Sequence, residues 1–75
     1  MRELVKNGYY RHFKGGEYQV IDIAYDSETL DEVVIYKSLK NNTLWVRKKE
    51  MFLSEVDTKK YPDITQKYRF ELVEN

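Results

Sequence analysis

His12, Ser27 and Glu28 are the residue types of a hydrolytic triad, in which histidine takes the serine proton and a carboxylate orients the imidazole. No glycines flank Ser27 in the pattern of a strained nucleophile turn, and a chain of this size offers such a trio by chance. The sequence favours a plainer reading: Ser27 and Thr29 satisfy backbone groups in a loop, and His12 packs or hydrogen-bonds on a sheet face. Asp26, Glu28, Asp31 and Glu32 form an acidic cluster of the type that holds a hard cation. Their spacing departs from that of a calcium loop, which leaves a solvated charge run. No catalytic residues, metal site or cofactor are expected, and the protein is read as a non-enzyme.

A second constellation mixes bases with rings. Arg11, His12 and Lys14 interleave with Tyr9, Tyr10 and Phe13, and Trp45-Val46-Arg47-Lys48-Lys49 repeats the theme. On a shared face these residues would make a stacking platform with phosphate contacts, as in single-strand binders. Thirteen Lys and Arg are matched by thirteen Asp and Glu, however, so no overall field draws the chain to nucleic acid. The favoured reading is that some aromatics are core while the remainder line a shallow groove for a protein or peptide, with Arg47 paired to a carboxylate such as Glu55. The candidate binding surface is Tyr10, Arg11, His12, Ser27, Glu28, Tyr36, Trp45 and Arg47. The function expected is a protein- or peptide-interaction module, the alternative being weak binding of RNA or single-stranded DNA. The expected state is a monomer or weak homodimer.

These residues must be positioned by short strands. The chain has 75 residues, enough for one domain and too few for a deep catalytic cavity. Aromatic residues make up 15%, seven of them tyrosines, which suits half-buried pleated surfaces. Gly15-Gly16 between alternating arms predicts a two-residue hairpin turn joining a strand over residues 9–13 to one over 17–25. In the second strand Tyr18 and Val20 share one face, whereas Ile21, Ile23 and Tyr25 share the other, so a bulge or bend is expected near Ile21-Asp22.

Residues 26–31 read as a loop in which Asp26 or Ser27 caps one helical turn. A third strand over 32–39 sets Val33, Ile35 and Leu39 against Val34 and Tyr36, and residues 40–42 make a turn. A fourth strand follows over 44–47, with Leu44 and Val46 assigned to the core and Trp45 and Arg47 to a partly solvated face. Phe52 and Val56, four apart, indicate a single helical or 3₁₀ turn within 50–56. Residues 57–62 are a loop, and a last strand over 67–72 puts Tyr68, Phe70 and Leu72 on one face. The fold class is therefore all-β: a small, strongly bent five-stranded antiparallel sheet or a partly open SH3-like barrel with one short helical turn, forming a single domain over 1–75.

No cysteine is present and Met1-Arg2-Glu3-Leu4-Val5-Lys6 has no signal-peptide character. A cytoplasmic protein with no membrane association is expected.

Tyr10-Arg11-His12-Phe13-Lys14-Gly15-Gly16-Glu17-Tyr18, then Ser27-Glu28-Thr29 with Val33-Val34-Ile35-Tyr36, then Leu44-Trp45-Val46-Arg47 with Met51-Phe52 form an ordered set over residues 8–56. As a set they resemble a family of small bacterial domains catalogued as domain of unknown function 1653. That family often carries histidine where this chain has Asp26, and proline after the Trp-Val-Arg triplet where this chain has Lys48. The resemblance implies a compact β-rich domain and lends no activity.

Overall fold

Two glycines reverse the chain at the start of the sheet. In the computed structural model, which describes residues 3–74, strand β1 (Tyr9–His12) runs through a short loop into β2 (Glu17–Tyr25). Gly15 and Gly16 both have positive φ, 101° and 85°, a region closed to most side chains. The loop is longer than the two residues expected: β1 pairs Arg11 with Glu17, and residues 13–16 all lie outside the ladder. The cause is Phe13, whose N–H donates to the Arg69 carbonyl (3.0 Å) on the opposite side of β1 from β2. Met1 and Arg2, and with them part of the leader expectation, lie outside the described residues.

Strands β3 (Glu32–Ser38), β4 (Leu44–Lys48) and β5 (Phe70–Glu74) complete an antiparallel sheet in the order β4-β3-β2-β1-β5, and a single turn of helix, α1 (Lys49–Phe52), follows β4. The pairing of β2 with β3 slips between Val20 and Asp22, leaving Ile21 as the extra residue of a bulge. There the Asp22 carboxylate accepts the Ile23 N–H at 2.8 Å. Asn42, with φ 61°, turns the chain between β3 and β4. Among the described residues no helix is long and apolar enough to cross a membrane.

The bulge and the twist of the strands curl the sheet. Tyr36 of β3 and Phe70 of β5 meet with ring centroids 5.4 Å apart, although β2 and β1 lie between their strands. In a flat sheet three strand spacings would separate them by roughly 14 Å. The curl stops short of a closed barrel, since β4 and β5 do not pair. Residues 49–69 span the gap instead, with Phe52 dropped into the concavity and one antiparallel bridge between Glu55 and Tyr68.

Tyr10, Val20, Val34, Tyr36, Phe52 and Phe70 form the buried core. Its polar tips are satisfied: the Tyr10 hydroxyl accepts the Val5 N–H at 2.9 Å.

Strand β4 lies the other way round from the expectation. Residues directly opposite in an antiparallel pair point to the same face. Tyr36 opposes Trp45 and Val34 opposes Arg47, so Trp45 and Arg47 share the core side of the sheet. Leu44 and Val46 point outward and are 60% and 62% exposed, and the assignment of Val46 and Leu44 to the core is overturned. Alternation in a run that is apolar at both parities gives the period of a strand and leaves its phase to the neighbouring strand.

Candidate functional site

The triad types do not come together. His12 ends β1 beside the start of β2, whereas Ser27 and Glu28 follow the other end of β2, a nine-residue strand whose ends are on the order of 26 Å apart. The acidic cluster is divided among structural tasks. The Asp26 carboxylate accepts the N–H groups of Glu28 (2.8 Å) and Thr29 (3.3 Å), capping the turn and holding its own pKa below the usual value. Asp31 pairs with Lys48 at 3.6 Å and Glu32 with Lys49 at 3.4 Å. These two pairs line an open cleft of about 350 Å³ together with Leu53 and Glu50, whose carboxylate is in none of the ion pairs among the described residues. Among the described residues no three His, Cys, Asp or Glu converge as metal ligands.

Of the expected surface, Tyr10 and Tyr36 are core residues, buried by the curl. Arg11 alternates to the face opposite Tyr10, where it is exposed and neutralised by Glu17 at 3.1 Å. Ser27 and Glu28 belong to the distant turn. His12, Trp45 and Arg47 remain on the concave side, at the mouth left between β4 and the chain entering β5. The expected Arg47–Glu55 pair is absent from the ion pairs among the described residues; the Arg47 Nε instead donates to the Tyr36 hydroxyl at 3.4 Å.

The mouth is built on rings. The His12 imidazole stacks on Phe13 (4.7 Å) and meets the edges of Phe70 (4.9 Å) and Tyr18 (6.4 Å), and Tyr18 in turn meets Tyr36 at 5.4 Å. The Lys14 N–H donates to His12 Nδ1 at 3.1 Å, which fixes the neutral tautomer with its proton on Nε2. Burial, and then the positive charges of Arg47, Arg69 and Lys14, lower the imidazole pKa from 6.5 to about 4. Three cations from three parts of the chain thus approach one ring. None of them belongs to the four ion pairs among the described residues.

Arg69 is the member that the sequence reading missed. It is held by two bonds to Ser54, its N–H to the carbonyl (2.9 Å) and its Nε to the hydroxyl (3.3 Å). The Gln66 amide donates to the carbonyls of Arg11 and Tyr68, both at 2.9 Å, and the Glu71 carboxylate accepts the N–H groups of Lys67 and Tyr68, both at 3.1 Å. Together these pin the approach to β5. The signal was present in Lys67-Tyr68-Arg69-Phe70, which repeats the basic-aromatic alternation of residues 9–14.

A family model described as a protein of unknown function, DUF1653, matches residues 8–72. The chain belongs to that family. The DUF1653 match takes in β1 to β4, α1 and the first part of β5, and therefore His12, Arg47 and Arg69 alike. No curated protein and no solved structure matches the chain.

Proposed function

We propose that this DUF1653 domain is a non-enzymatic interaction module that takes an extended segment of a partner protein alongside β4. The observation that carries the reading is the state of that strand. β4 closes one end of the sheet order, with β3 as its sole ladder partner among the described residues, and Leu44, Trp45 and Val46 are consecutively 60%, 51% and 62% exposed. An edge of this kind offers unpaired backbone groups for strand addition, with side chains on both faces to select the incoming residues. A cysteine-free composition supports a cytoplasmic setting.

Selection of binders from a displayed library of random peptides, followed by amide exchange measurements on the complexes, tests the reading. Slowed exchange confined to residues 44–48, lost in Val46→Lys without a change in melting, supports it. Binders that protect another part of the sheet, or that tolerate Val46→Lys, overturn it.

A second reading, binding of single-stranded nucleic acid, is favoured by the exposure of Trp45 beside Arg47 on the basic side. Phosphate contacts would make affinity fall steeply with salt, whereas strand addition would be nearly indifferent to it.

A further inference from the structure

We infer that the segment taken up by β4 is the β4 of a second copy of this chain, antiparallel about a two-fold axis at Val46, so that two five-stranded sheets join edge to edge. The inference rests on the strand-addition reading above and names its partner. Its first basis is the direction of the backbone groups. Where the chain enters β4, the Ser38 N–H donates to the Thr43 carbonyl at 2.9 Å. Backbone groups alternate from one side of a strand to the other, so Trp45 and Arg47, like Thr43, turn theirs to β3. Leu44, Val46 and Lys48 turn theirs to the open edge.

The second basis is that the strand fits itself. Pairing centred on Val46 sets the two copies of Val46 opposite each other, Leu44 opposite Lys48 and Trp45 opposite Arg47, and it uses all five residues of β4. The Val46 and Leu44–Lys48 pairs exchange hydrogen bonds, whereas the Trp45–Arg47 pairs are the close kind, with Cα atoms about 4.5 Å apart. Trp45 and Arg47 project from one face of β4, and the indole is half exposed. Each guanidinium therefore comes beside the indole of the other copy, a cation–π contact made twice by symmetry. No like charges face each other: Lys48, paired with its own Asp31 at 3.6 Å, lies across from Leu44. The neighbouring registers are poorer. Centring on Arg47 would oppose two guanidinium groups, and centring on Trp45 would run the pairing out of the strand into the turn before Leu44.

Sedimentation of the intact chain over a concentration series reads the association. One pair of short strands is a small interface, so a dimer dissociating on the order of 0.1 mM is expected. Val46→Lys, which opposes two ammonium groups, should weaken it about tenfold without a change in melting. Crosslinking reads the register, since the chain has no cysteine of its own. Val46→Cys should give a disulfide-linked dimer on mild oxidation, because opposed residues have Cα atoms about 5.5 Å apart. Leu44→Cys should not, since its two copies would lie four residues, roughly 13 Å, apart along the strands. A chain that stays monomeric to about 1 mM, or a dimer in which Leu44→Cys crosslinks as readily as Val46→Cys, would overturn the inference. Library peptides that protect residues 44–48 of a chain that does not self-associate would remove the inference and leave strand addition standing. If neither peptides nor a second copy protect 44–48, strand addition fails and the inference with it.

Discussion

Phe52 and Phe70 stack face to face, their centroids 4.0 Å apart and their planes 7° from parallel. One ring follows β4 and the other begins β5, so this contact fastens the two edges of the sheet that backbone pairing leaves unjoined. Both rings are fully buried, and Phe52 also meets Tyr10 and Tyr36 edge-on at 5.3 Å. Truncating a buried phenylalanine to alanine costs about 3–5 kcal/mol, a large share of the roughly 4–11 kcal/mol available to a domain this size. Phe70→Ala should therefore be largely unfolded at 37 °C by circular dichroism. A urea midpoint within error of the parent's would mean that the sheet is held shut by something else.

The glycine turn supplies a cleaner measure of backbone strain. A side chain at Gly15 would meet nothing within 4 Å, so the penalty for Gly15→Ala is that of the 101° φ alone, about 1 kcal/mol. At Gly16 the nearest atoms are those of Tyr18, at 3.5 Å, an ordinary contact, and Gly16→Ala should lose a similar amount. Chemical denaturation of the two variants checks this; if both match the parent, the turn does not need its positive φ angles.

Val46→Ala should change stability by less than about 0.5 kcal/mol, because Val46 projects from the outer face of an edge strand. Val34→Ala, on the fully buried side of β3, should lose about 1–3 kcal/mol. Thermal melting of the pair tests the phase of β4. A severe loss at Val46 with tolerance at Val34 would reverse the sheet.

That phase marks the limit of what was legible in the residues. The glycine reversal, the bulge at Ile21 and the Asp26 cap are each local, written in backbone permissiveness or short-range spacing, whereas the helical turn expected from the spacing of Phe52 and Val56 forms earlier, over Lys49–Phe52, and leaves Val56 outside it. Whether Trp45 or Val46 faces inward depends on the register against Val34 and Tyr36, which is a tertiary fact. The mouth is more remote still: His12, Arg47 and Arg69 lie far apart in the chain and meet only because the sheet curls. His12 and Arg47 drew notice through their aromatic neighbours, whereas Arg69 sat in the same kind of pattern without being connected to them.

The last prediction follows from the low pKa of His12. In the unfolded chain the imidazole takes its proton near pH 6.5; in the fold, burial and the neighbouring cations delay this to about pH 4. Between those values the unfolded state holds more protons than the folded one, so stability rises with pH across the window. Acidification from pH 6.5 to 4 should accordingly lower the melting temperature progressively, and below pH 4 this group has no further effect. Asp22 and Asp26, whose pKa values are also depressed in the fold, add losses in the same direction only near and below their ordinary value of 3.8. His12→Phe keeps a ring on Phe70 but cannot titrate, and it should flatten the melting curve between pH 6.5 and 4 while leaving the acid limb intact. A variant as sensitive to that window as the parent would show that another group, and not the imidazole beneath Arg47 and Arg69, sets the pH dependence.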